Sequence, residues 1–243
     1  IKVKKVKFME KIKRRYLLVL MALVMVLIAG CTMQKSEKKA DNISKILTNE
    51  AFNNVLLNTS DSDVVIQTGK NYQVKYHGSK KIEPSVEIKN GQLFVKQRGN
   101  VSSRNNLSEI VITIPKAVKL TQLEIKADEG DITATGINMN LGQLKSEEGD
   151  ITLWDAKMTS GELSSEEGDI TLKKSKIDKN LHASSSEGDV AVSRTKFIGY
   201  NLSTEEGSIA VDGNSYASSS YKKHPDSKNI LTVKSQEGDI TVK

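Results

Sequence analysis

Two columns of carboxylates hold most of the reactive side chains in this 243-residue chain. A Glu-Gly-Asp triplet, with one Glu-Gly-Ser variant, recurs around Gly130, Gly149, Gly168, Gly188, Gly207 and Gly238. Glu129, Glu148, Glu167, Glu187, Glu206 and Glu237 precede the glycines, and Asp131, Asp150, Asp169, Asp189, Ser208 and Asp239 follow them. Acids in this pattern suit three kinds of chemistry. Hard cations such as Ca²⁺ take carboxylate and turn-carbonyl oxygens, so a calcium ladder is one reading. A pair of acids flanking a glycosidic bond is the machinery of a glycosidase. In the third reading the Glu side chains are solvated and each Asp accepts backbone N–H bonds at its own turn. The third is preferred. The nine-residue calcium solenoid motif is absent, and acids that repeat with the fold period single out no reaction centre. No cofactor and no metal is therefore expected, with calcium as the minor alternative.

Other reactive groups are sparse. The chain has no Gly-x-Ser-x-Gly, no phosphate-cradling Gly-x-x-x-x-Gly-Lys and no His-Glu-x-x-His, and His77, His182 and His224 fall at unrelated points of the repeat. Trp154 is the only tryptophan, which is poor material for sugar platforms. Lys157, Lys176 and Lys196 recur eight residues after their glycines, a basic stripe that could meet anionic wall polymer but reads first as a solvated face. These observations argue against an enzyme.

Charge then excludes a further class. Lys and Arg number 36 against 30 Asp and Glu, but residues 1–30 hold eight of the bases and one acid. The remainder carries 28 bases and 29 acids, so no basic folded domain for nucleic acid is expected. That basic N-terminus runs into Leu17 to Ala29, thirteen uncharged residues, then Gly30 and Cys31. The layout reads as a signal peptide over 1–30, too short for a permanent span. Leu27 to Cys31 resembles a bacterial lipobox, which implies cleavage between Gly30 and Cys31 and lipidation of Cys31, the only cysteine. The expected consequence is an extracytoplasmic protein anchored to the membrane through lipid. Residues 31–49 read as the lipidated cysteine and a polar tether.

The elements that position the acids follow from the repeat. Glycine spacings are 19, 19, 20, 19 and 31, the last being one period plus about twelve residues. Five positions before each glycine stand Ile125, Leu144, Leu163, Ala183, Leu202 and Val233, and the third position before it is always small. Two and four positions after it the residues are apolar, as in Ile151 and Leu153, and Met139, Met158, Ile177, Phe197 and Tyr216 lie nine after. Period-two alternation on both sides of a glycine predicts two short strands joined at a corner. Serial copies predict an all-β, parallel β-solenoid with coils of 19–20 residues, each pairing with the next. The glycines Gly130, Gly149, Gly168, Gly188, Gly207 and Gly238 are read as supplying a corner conformation that side chains oppose.

An earlier copy without glycine surrounds Ser62, with Leu57, Thr59, Val64 and Ile66 in the repeat positions. Asn90-Gly91 between alternating runs predicts a hairpin. Residues 50–120 are read as a less regular β portion, an N-terminal cap, and 121–243 as regular repeats of one domain over 50–243. The insertion at 213–229 offers Tyr216, Tyr221, Lys222, Lys223 and His224 as a contact surface, or else a disordered loop.

The Ile-Thr-Ile-Pro strand at Ile112 to Pro115, followed by serial Gly-Asp-Ile turns behind an export signal, resembles the putative-adhesin family of bacterial β-strand-repeat domains. The resemblance spans about Phe52 to Lys243. It implies an envelope or membrane-associated protein and carries no catalytic residue onto this chain. Together these readings predict a non-enzymatic envelope lipoprotein whose repetitive surface serves adhesion or binds protein or wall polymer. An accessory of envelope-stress sensing at the membrane is the alternative, and a carbohydrate-active enzyme the lesser one.

Overall fold

Period-two stretches on either side of each Glu-Gly-Asp turn become strands, because β-branched and apolar residues alternate with polar ones and no helical period competes. The computed structural model describes residues 42–99 and 108–243. The expected signal peptide 1–30, with Gly30 and Cys31, lies outside the described residues. In the coil of Gly149, Asn138–Ser146 leads into the turn and Ile151–Trp154 leaves it. The first strand of every coil joins one sheet and the second joins another, each sheet having eleven strands. They are called here the entry sheet and the exit sheet.

Identical repeat positions are neighbours in space. Ile132, Ile151, Ile170 and Val190 pair side by side in the exit sheet, and Ile125, Leu144, Leu163 and Ala183 do so in the entry sheet. These columns, with Met139, Met158 and Ile177, are buried in one continuous core. A single coil buries only a few such groups, at roughly 1.5–3 kcal/mol each before entropy, so stability comes from stacking. The β-solenoid expectation therefore holds, including the glycine-free copy, whose strands Asn54–Thr59 and Asp63–Gly69 pair in register with the coil of Gly130.

Strict succession of coils does not hold at either end. In both sheets the strands run in the order Gly130, Gly149, Gly168, Gly188, Gly238, Gly207. The C-terminal strands Ile230–Ser235 and Ile240–Val242 insert between those of Gly188 and Gly207, with parallel partners on both sides. The N-terminal end mirrors this. Gln92–Lys96 and Glu109–Pro115 form the outer coil, and the earlier segment 54–69 lies inside it. A strand placed inside has both edges paired, whereas an end coil needs a cap.

Antiparallel segments supply the caps. Asn42–Thr48 pairs with Gln73–Ser79, and Ser85–Lys89 pairs with Gln92–Lys96 across the expected Asn90-Gly91 turn, whose φ values are 53° and 75°. The tether expected over 31–49 is thus corrected: from Asn42 it is an edge strand, with Ile43 and Leu47 packed against the core. At the other end Asp212-Gly213, with φ 51° and 81°, turns Asn214–Tyr216 back against Ile209–Val211. Ser220–Lys223 then covers Gly199–Thr204. The insertion at 213–229 is a cap rather than a disordered loop, and Tyr216 leaves the core column to join it.

Candidate functional site

The Glu-Gly-Asp turn is a hydrogen-bonded ladder. Each aspartate Oδ1 accepts the backbone N–H of the equivalent residue in the next coil: Asp63 from Asp131, Asp131 from Asp150, Asp150 from Asp169, Asp169 from Asp189, Asp189 from Asp239, and Asp239 from Ser208. The distances are 2.8–3.0 Å. The acceptance is therefore between coils, not at the residue's own turn. Carboxylates about 5 Å apart repel by roughly 1 kcal/mol in water. A hydrogen bond to a charged acceptor contributes about 1.5–3 kcal/mol, enough to offset that.

The small position three residues before the glycine is a second ladder. Ser165 Oγ donates to the Gly149 carbonyl at 3.0 Å and accepts the Gly168 N–H at 2.9 Å. Ser185 does the same with Gly168 and Gly188. The role of the glycines also differs from the expectation. Of Gly130, Gly149, Gly168, Gly188, Gly207 and Gly238, only Gly130 has a positive φ, 116°. A Cβ on Gly149, Gly168, Gly188, Gly207 or Gly238 would lie 2.0–2.2 Å from the carbonyl oxygen of the adjacent turn. Close stacking, not corner conformation, demands glycine there. The left-handed corner lies six residues later, at Gly136, Asp155, Lys174 and Arg194.

These turn residues bond adjacent coils together, and the Glu and Asp columns face solvent. Among the described residues no group of three or more His, Cys, Asp or Glu is placed to hold a metal ion. His77, His182 and His224 remain on separate strands and loops.

Among the described residues, concave surface is found on the outer face of the entry sheet. Three adjoining depressions, the largest of about 600 Å³, share Glu162, Ser164, Ser184 and Lys234 among their linings and form one shallow trough across successive coils. Gln143, Glu162, His182 and Thr232 make one row of its floor, and Lys145, Ser164, Ser184, Lys234 and Ser203 the next. Some of these groups already bond within the trough, as Ser184 Oγ does to Ser164 Oγ at 3.2 Å and Gln122 Nε2 to Gln143 Oε1 at 3.2 Å. Lys126 pairs with Glu124 at 3.1 Å and Lys145 with Glu166 at 3.4 Å, and the rest of the lining offers hydroxyls, amides and the charges of Glu162, Glu205 and Lys234. Sequence reasoning missed this face, because its members belong to no repeated motif. Lys234 enters it only through the insertion of the C-terminal coil between Ser184 and Ser203.

The insertion candidates cluster at the far end of the stack. Tyr216 and Tyr221 lie with ring centroids 4.5 Å apart, and Tyr200 joins Tyr221 at 6.4 Å. Burial raises the hydroxyl pKa of Tyr200 and of Tyr221 above the ordinary value. Their geometry is that of an end plug, with Lys222, Lys223 and His224 exposed at its rim.

Two facing sheets of stacked parallel coils, closed by antiparallel caps, define a β-solenoid of the β-strand-repeat class. The chain belongs to the Toastrack DUF4097 family, whose pattern matches residues 52–157 and 115–243. No curated protein sequence matches it. Among solved structures it is similar to a protein of Bacteroides fragilis described as a "putative adhesin". The two are 17% identical, with a TM-score of 0.50 over 83% of this chain and 97% of that one. It is also similar to a protein of Clostridium sporogenes described as a "putative cell adhesion protein", 20% identical, with a TM-score of 0.44 over 83% and 97%.

Proposed function

We propose that this protein is a non-enzymatic binding module of the bacterial cell surface, held there by lipid on Cys31, that takes an extended wall polymer along the entry-sheet trough. The observation that carries this reading is the trough itself. It crosses coil after coil, and its hydroxyls, amides and mixed charges complement the hydroxyls, amides and carboxylates of a glycan cross-linked by peptides. Its floor repeats about every 4.8 Å, which favours an elongated ligand over a small one. An accessory role in envelope sensing would use the same face for a protein.

Binding of the full chain to isolated wall sacculi tests the proposal. Ser184→Arg with Ser203→Arg fills the trough and should weaken binding at least about tenfold, whereas Thr152→Arg with Thr171→Arg on the outer exit sheet should leave it unchanged. Equal losses from both pairs, or from neither, would overturn the reading. Loss of surface attachment in Cys31→Ala cells tests the anchor.

A further inference from the structure

We propose that one narrow edge of the solenoid docks on an anionic lipid surface, with Trp154 and Ile198 at the level of the headgroups. The inference goes beyond the trough, which lies on a broad face.

The coil has two edges, and their charges are opposite. The Glu-Gly-Asp turns occupy one edge and present the acidic columns. The corners between exit strand and following entry strand occupy the other. Over four adjacent coils those corners comprise residues 154–157, 173–179, 193–198 and 243, with eight cations against two acids. One of the acids, Asp178, pairs with Lys176 at 3.5 Å. The coil step of about 4.8 Å places all four corners within roughly 15 Å. Lys243 belongs to this edge only because the last coil inserts beside that of Gly188, where Lys243 O accepts the Arg194 N–H.

Charge alone would suit any polyanion. The apolar residues decide for a lipid surface. Trp154 is 47% exposed and Ile198 is 63% exposed, and among the described residues the only other exposed large apolar side chain is Ile46. Two of the three therefore stand on this one edge, set among lysines, with Ile198 beyond the inserted coil, where its N–H donates to the Asn229 carbonyl. Trp154 carries Lys173 over its ring at 5.5 Å from the centroid. A soluble polyphosphate would engage the cations but leave Trp154 and Ile198 in water. A bilayer surface satisfies both, since tryptophan favours the interfacial level and flanking lysines reach the phosphates through their flexible stems. Each such cation near an anionic surface strengthens binding several-fold. Docked this way, the acidic edge points away from the bilayer, as like-charge repulsion from the lipid requires.

The sole tryptophan makes the test specific to this edge. The full chain is placed with vesicles of phosphatidylcholine, or of phosphatidylcholine with one-third phosphatidylglycerol, both containing acyl-brominated phosphatidylcholine as quencher. On the anionic vesicles Trp154 emission should shift to the blue and be quenched at least about twofold more than on neutral ones. High salt should reverse the difference. Lys174→Gln, Lys176→Gln, Arg194→Gln and Lys196→Gln together should abolish it while the far-ultraviolet spectrum is unchanged. If that variant fails to fold, the salt reversal in the unaltered chain decides. Equal quenching on both vesicle types overturns the proposal. So does a shift produced by soluble polyphosphate without quenching on anionic vesicles, which would assign the edge to a polymer.

Discussion

In most coils one hydroxyl and one carboxylate hold adjacent turns together, and the glycine between them lets the turns touch. Ser165→Ala removes a buried hydroxyl that serves two backbone groups, the Gly149 carbonyl and the Gly168 N–H. Orphaning them should cost about 1–3 kcal/mol in denaturant unfolding. Gly168→Ala places a methyl 2.2 Å from the Gly149 carbonyl oxygen and should cost a similar amount or more. Tyr76 offers a test by pH. Burial is the main cause that pushes its hydroxyl pKa up to about 12, from an ordinary 10.0, and the hydroxyl donates to the Ser79 carbonyl at 2.8 Å. The folded state therefore holds this proton more tightly than the unfolded chain does. Its stabilising contribution is complete below pH 10 and is lost as pH rises toward 12, so Tyr76→Phe should flatten the alkaline fall in stability over that window. In the sequence the serine column reads only as small, because its partners belong to other coils and no local pattern announces them. The same holds for Gly142 and Gly161, core positions that look like gaps until Met139 and Met158 are seen to fold over them.

At the scale of the element, each end of the stack is built out of order, and the C-terminal coil acts as a wedge. Deleting residues 228–243 should leave the strands Leu181–Ser185 and Val190–Ser193 without outer neighbours and the strands 199–211 without their only parallel neighbours. Hydrogen exchange should then show protection lost across 199–223 as well, while 119–172 stays protected. If coils stacked in chain order, the same deletion would remove only the outermost layer and leave 199–211 protected. This order was not legible in the sequence. Every coil carries the same letters, so Val190 accepts Ile240 or Ile209 as a neighbour equally well on side-chain grounds. The alternation, the strand pairs and the Asn90-Gly91 hairpin were legible, because period two and turn chemistry are local. What decides the order is the Asp212-Gly213 turn, which reverses the chain and caps the coil it has just completed.

Over the whole molecule, coils in exact register turn one-dimensional spacing into surfaces. Position relative to glycine sets which face a residue joins: acids line one edge, cations the other, and hydroxyls with amides the entry-sheet trough. The sequence displayed the acidic columns and the three lysines Lys157, Lys176 and Lys196. The trough and the full basic edge stayed hidden because Lys234 and Lys243 reach them only from the inserted coil. Both proposed contacts therefore depend on the coil order Gly188, Gly238, Gly207. Disulfide trapping tests that order most directly. In a Cys31→Ser background, Ala191→Cys with Thr241→Cys joins positions that are immediate partners on the exposed exit face. Ala191→Cys with Ala210→Cys joins positions separated by the strand that carries Thr241, about 9.6 Å apart and beyond the roughly 7 Å reach of a disulfide. The account predicts rapid crosslinking of the 191–241 pair and none of the 191–210 pair. The reverse result would contradict it.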